Sequence, residues 1–254
     1  MEPEETERIL CSFCENPIRA DKRFCTFCGQ QQDQEMLGTT DRKWISLKQA
    51  GLFFGLELLY CAVALIIKDP GIISALSLDV LMAVSAVIFF SLDWQENKHL
   101  LKWPNFSILK LLAFILLSVL ASLLVTYLVG NLNKNLFNKE FSYYNVFRSH
   151  DYGAYILYIS VALFPALFEE LAFRGYLMQK LLNIFGEKET IYITSILFFF
   201  IHFSMVSFFW MLPFGILLAH VRIRENTLWY GVVLHFFFNF TVCLTEVYGF
   251  DWFY

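Results

Sequence analysis

Phe164-Pro165-Ala166-Leu167-Phe168-Glu169-Glu170-Leu171-Ala172-Phe173-Arg174-Gly175 decides how this chain is read. Two adjacent carboxylates and a guanidinium stand in a run that is otherwise almost wholly apolar. An ionisable side chain at the centre of a bilayer costs at least ~2.5–3.5 kcal/mol. A chain that keeps three of them so close together needs them for something.

The surroundings of this stretch have the composition of a membrane protein. Of 254 residues, 57% are hydrophobic and 17% charged, with 29 Phe and 12 Tyr. Soluble domains carry about 45–50% apolar and about 25% charged residues. Apolar runs follow one another near 50–67, 72–92, 108–129, 154–182, 190–206, 208–222 and 227–247. Most have the roughly 17–25 residues that a helix needs to cross the hydrocarbon. The expected fold is an all-α polytopic membrane protein of about 7–8 transmembrane helices. The fifth and sixth runs are short and almost continuous, which predicts a tight helical hairpin. The stretch Leu132–Tyr155 is too polar to cross and predicts an outer loop. The net charge of -4 comes without a basic block, so nucleic acid is not an expected partner. The acidic first ten residues carry no signal-peptide pattern.

The N-terminal region is of another kind. Cys11-Ser-Phe-Cys14 and Cys25-Thr-Phe-Cys28-Gly29 form two C-x-x-C pairs, the spacing of a tetrahedral zinc site with one knuckle per pair. Gly29 allows the tight turn that such a knuckle needs. The segment holds too few apolar residues to fold unaided, and a structural zinc would supply the missing free energy. The division expected is a zinc ribbon at 1–32, a linker at 33–49 and a transmembrane domain at 50–254. Two disulfides in an exterior domain, or a redox dithiol, are the competing uses of the cysteines.

Basic residues set the orientation. With the N-terminus in the cytosol, the inner segments carry Arg42, Lys43, Lys48, Lys98, Lys102, Lys110, Lys180, Lys188, Arg222 and Arg224. The outer ones carry Lys68, Lys134, Lys139 and Arg148. That orientation also places the cysteines in a reducing compartment, where thiolates bind metal rather than oxidise.

Within the spans, Glu170 and Arg174 are four apart and share a helix face. Glu169 lies about 100° round the helix. The expected division is that Glu170 pairs with Arg174 while Glu169 faces a cavity. Pro165 frees a backbone carbonyl one turn earlier. The fifth run holds Phe198-Phe-Phe-Ile-His202, and the seventh His235-Phe-Phe-Phe-Asn239. At ~1.5 Å per residue from the cytosolic ends, Glu169, His202, His235 and Asn239 lie on the order of 12–20 Å deep. Three helices thus bring polar groups to overlapping depths. Glu57 and Asp79 are the other acids in the spans, and packing or water-lining roles are expected of them.

Glu-Glu-x-x-x-Arg, then Phe-x-x-x-His, then His-x-x-x-Asn, in that order on successive helices, resembles the CAAX protease and bacteriocin-processing family, the glutamic intramembrane proteases. The resemblance covers about residues 150–245. It implies that Glu169 is the general base, that His202 orients or deprotonates the water, and that His235 and Asn239 donate to the oxyanion. Glu170, Arg174 and Phe198 would support them, with no catalytic metal. The residues alone leave another arrangement open, in which Glu169, His202 and His235 hold a catalytic zinc. The function expected is endoproteolysis of a membrane-associated protein or peptide from within a bacterial plasma membrane, in contact with lipid, with a possible protein partner for the ribbon. A non-catalytic scaffold, a bacteriocin self-immunity protein or a proton-coupled transporter are the competing readings.

Overall fold

The computed structural model describes residues 8–11, 13–19, 22, 24–30, 40–67, 71–137, 142–203 and 207–249. Residues 33–39 of the stretch read as a linker lie outside them, as do 204–206 at the end of the fifth apolar run.

The described residues from Thr40 on are mostly helical. The long elements are α1 (Thr40–Ile66), α2 (Ile72–Leu92), α3 (Ile108–Leu132), α4 (Gly153–Leu182), α5 (Glu187–Phe200), α6 (Phe208–Glu225) and α7 (Trp229–Tyr248). Among the described residues five helices are long and apolar enough to cross a membrane: α1, α2, α3, α4 and α7. The fifth and sixth apolar runs become α5 and α6, of 14 and 18 residues, packed on each other as the expected hairpin. Within Leu132–Tyr155, Tyr144–Phe147 forms a short helix that buries Phe147.

Polarity is arranged for lipid. Leu65, Ile66, Ile73, Leu109 and Leu116 lie on the outer surface, while Glu57, Ser118, Ser122, Glu170, Arg174, Thr194 and Ser195 are buried. A hydrocarbon solvent offers no hydrogen bonds, so polar side chains turn inward and find partners there.

Helix α4 departs from regular winding. It runs in wide i→i+5 turns over Tyr158–Leu163 and Pro165–Leu177. Wide turns are uncommon and gather at functional sites. Pro165 accounts for part of this, because it has no N–H for the Val161 carbonyl. Helix α7 packs against α3, α4 and α6 and so sits at the centre of the bundle.

The N-terminal segment is a two-stranded antiparallel ribbon, β1 (Arg8–Leu10) and β2 (Pro17–Arg19), with Ile9 opposite Ile18. Its own core is Cys11, Ile18 and Cys25. The segments that the charge count places on one side meet at one end of the bundle. There Lys180 pairs with Asp93 at 2.7 Å, Lys110 with Glu225 at 2.8 Å, and Thr227 donates to the Lys102 carbonyl at 2.7 Å. The ribbon sits at this same end, with Lys22 2.5 Å from Glu96.

Candidate active site

Glu170 is wholly buried on α4, and its Oε1 accepts from Arg174 Nη1 at 3.0 Å. The same oxygen lies 3.0 Å from His235 Nδ1 on α7. A carboxylate can only accept there, so the imidazole donates from Nδ1 and its ring is fixed. Nε2 then faces Glu169, with Oε2 3.8 Å away. That gap is wide for a direct hydrogen bond and short enough for one water to touch both atoms. Glu169 Oε2 has no hydrogen-bond partner among the described residues.

Glu169 lines a cavity with Glu57, Asp79, Met82, Phe164, Pro165, Phe168, Ala172 and Phe173. The expected division of labour is the one observed: Glu170 holds Arg174, and Glu169 faces open space. Glu57 and Asp79 reach this cavity from α1 and α2, each accepting a hydrogen bond from a serine, Ser85 and Ser160 respectively.

Arg174 is 1% exposed, and three contacts hold it. Besides Glu170, Nη2 donates to the Gly215 carbonyl at 3.2 Å, and the guanidinium lies 4.3 Å from the centre of the Phe198 ring. Phe198 also packs edge-on against His202 at 5.0 Å and His235 at 6.0 Å. One aromatic ring therefore spaces two imidazoles and a cation. His202 Nδ1 donates back to the Phe198 carbonyl at 2.8 Å, which leaves Nε2 as the outward nitrogen.

Asn239 Nδ2 donates to the Val161 carbonyl at 3.0 Å. This is the acceptor that Pro165 cannot pair with in a regular helix. One amide proton of Asn239 is thus committed to mending α4, and the other is free to meet a ligand. Gly231 matters for a steric reason: a methyl group there would lie 2.9 Å from Glu170 Oε2.

Two residues were not singled out in the sequence. Ser118 and Ser122 on α3 donate to the carbonyls of Leu234 and Phe238, the second at 2.7 Å. Each acceptor immediately precedes a site residue, His235 or Asn239. The four-residue spacing of the serines marks one helix face, but nothing in the sequence says what that face meets. Interhelical bonds of this kind average ~0.6 kcal/mol and reach ~1.7. The double replacement Ser118→Ala/Ser122→Ala is therefore expected to lower stability by about 1–3 kcal/mol, read by denaturant unfolding in mixed micelles.

The site residues carry a family signature. Residues 152–241 match the family model described as Type II CAAX prenyl endopeptidase Rce1-like. The match agrees with the CAAX protease resemblance of the motifs and contains every residue of the Glu, His and Asn constellation. It spans 90 of 254 residues, so α1, α2, α3 and the ribbon lie outside the Rce1-like segment. No curated protein and no solved structure matches the chain. The Rce1-like family is a family of proteases.

The four cysteines form the one group of three or more His, Cys, Asp or Glu ligand atoms, among the described residues, close enough to share a metal ion. Glu169, His202 and His235 do not form such a group. Cys11 and Cys28 sulfurs are 3.7 Å apart, and those of Cys14 and Cys25 3.5 Å. A tetrahedral ion with ~2.3 Å metal–sulfur bonds has sulfur–sulfur edges of roughly 3.8 Å, so the cluster fits a metal of that kind. Backbone N–H groups of Phe13 and Phe27 point at Cys11 and Cys25 sulfurs at 3.4 and 3.3 Å. Burial opposes the Cys11 thiolate, but the amides of Cys14 and Phe13 outweigh it and bring its pKa down to about 6. Burial pushes Cys28 up to about 12. Metal must displace the protons still held, so its binding weakens as pH falls. Metal content, read by plasma mass spectrometry after dialysis, is expected to drop between about pH 7 and pH 5. Retention of a full equivalent at the acid end would exclude thiolate ligation.

Proposed function

We propose that this chain is an intramembrane endopeptidase in which Glu169 activates water to cut a membrane-associated protein or peptide, with no metal in the reaction. One observation supports the reading above the others. Glu169 faces a cavity that it shares with Glu57 and Asp79, and it stands beside His235, whose far nitrogen is held by a carboxylate paired with Arg174.

A water touching Glu169 Oε2 and His235 Nε2 gives a proton to the carboxylate as its oxygen attacks the peptide carbonyl carbon. His202 Nε2 accepts a hydrogen bond from the O–H that stays on the attacking oxygen and so aims its lone pair at the substrate. The free Asn239 N–H donates to the oxyanion, as does His235 when its Nε2 carries a proton. Each such donor contributes about 3–4 kcal/mol in other hydrolases. The C–N bond then breaks as Glu169 passes its proton to the leaving amine, giving a carboxylate and an amine. Glu170, Arg174 and Phe198 touch no reacting atom. They fix the rings that do.

Zinc is the metal we assign to the four cysteines, on the sulfur spacing and the thiolate donor set. We place the ribbon of this multi-pass membrane protein in the cytosol, on the distribution of basic residues, and the protein in a bacterial plasma membrane, on the resemblance of its N-terminal cysteine segment to bacterial zinc ribbons. The family description speaks of CAAX prenyl endopeptidases, so a lipidated C-terminal tail is the first substrate to try. Membrane peptides from cells carrying wild-type protein should include fragments missing from cells with Glu169→Gln at equal abundance. If the two sets are the same and cellular function persists, the scaffold or immunity reading takes over.

A further inference from the structure

We infer that the four-cysteine ribbon is a metal-set clamp on the turn between α6 and α7, coupling metal occupancy to the position of the helix that carries His235 and Asn239. The contact is made by the second knuckle. The carbonyl of Cys28 accepts from Asn226 Nδ2 at 2.7 Å. Asn226 is the left-handed residue, φ 50°, that ends α6, and α7 begins three residues later. Asn tolerates that conformation better than most residues, and here its side chain is also put to use. Gly29, at φ +78°, brings the backbone so close that a methyl group would stand 2.2 Å from the His99 ring and 2.9 Å from Asn226 Nδ2. Phe24, just before the knuckle, is buried against Met178, Leu182 and Ala219. Lys22 closes the edge on Glu96. The ribbon thus grips α4, α6 and the α2–α3 connection together.

The same turn is held from its other side. Leu228 N–H donates to the Leu100 carbonyl at 3.0 Å, and Thr227 donates to Lys102. His235 lies six residues into α7, about 9 Å along its axis from Trp229. A shift of the turn is carried to the site residue by a rigid helix.

Metal enters because the ribbon cannot hold its shape alone. Three residues are its core, and two of those are cysteines. A segment of this size folds on its metal. The knuckle surface that meets Asn226 and His99 therefore exists in the metal-bound form. Coupling is reciprocal, so docking must in turn tighten metal binding. The clamp stands on this contact geometry and not on the protease reading.

The test uses full-length protein in micelles, loaded with one zinc, with hydrogen exchange and zinc release to a colorimetric chelator as readouts. Stripping zinc should raise amide exchange in 226–230 at least about tenfold while that of α3 stays unchanged. Asn226→Gly keeps the left-handed backbone, removes the contact and leaves every cysteine in place. It should speed zinc release by about 5–150-fold, the usual range of coupling. Lys22→Glu should act in the same direction, and adding Glu96→Lys should restore the wild-type rate. Unchanged exchange at 226–230 after zinc loss overturns the clamp, as does wild-type zinc release in Asn226→Gly. Lost turnover in stripped protein, with the exchange response present, bears on the protease reading and not on this one.

Discussion

Glu169→Gln should lower peptide hydrolysis by about 10²–10⁴-fold, the contribution of a positioned general base, in protein whose unfolding midpoint is unchanged. The amide has nearly the shape of the carboxylate but cannot take a proton from water. Its neighbours are undisturbed, because among the described residues Glu169 Oε2 has no hydrogen-bond partner and the buried pairings belong to Glu170. Fragment release from a labelled membrane peptide gives the rate, and thermal unfolding in the same micelles gives the control. Wild-type turnover in a stable Glu169→Gln protein would remove Glu169 from the chemistry. A loss of rate accompanied by a collapsed midpoint would show that the residue holds the bundle instead.

Arg174→Ala should cost about 3–5 kcal/mol of stability, the usual result of removing one partner from a buried ion pair. The carboxylate left behind at Glu170 has His235 as its remaining contact, in a place that water does not reach. Arg174→Lys should recover little. An ammonium is a point donor on a flexible stem and cannot serve Glu170, Gly215 and the Phe198 face at once. Removing the charges as a pair, in Glu170→Gln/Arg174→Met, should cost less than Arg174→Ala alone, because no unpaired ion stays behind. That double variant should still be slow, since its amide holds His235 without a charge. Denaturant titration ranks the three, and the arrangement above fails if Arg174→Ala is the most stable of them.

Much of this was legible in the chain, for identifiable reasons. Apolar runs have to match the bilayer thickness, so five of the seven runs could be located as helices able to cross, while the fifth and sixth form shorter helices. Spacing of four put Glu170 beside Arg174, and the geometry bears this out. The cysteine pairs announced their cluster because a metal knuckle has few allowed spacings. What the sequence could not show was which faces meet across helices. For Glu57 and Asp79 the sequence left packing and water-lining roles open, and they line the cavity of Glu169. Two serines on α3 carry no signal in the sequence, and they bond the backbone next to His235 and Asn239. Pro165 was read as a loosened turn. Its unpaired carbonyl turned out to be the docking point of Asn239, seventy-eight residues away. Each of these pairings joins distant parts of the chain, and local periodicity carries no record of such a choice.

The two bonds from Ser118 and Ser122 also bear on where the working unit ends. Both donors lie on a helix outside 152–241, yet both acceptors lie inside it. A shortened protein built only from the matched stretch would contain every residue of the Glu, His and Asn constellation and still lack the rail along which its last helix is seated. Grafting experiments on this chain should take α3 along with the motif-bearing helices.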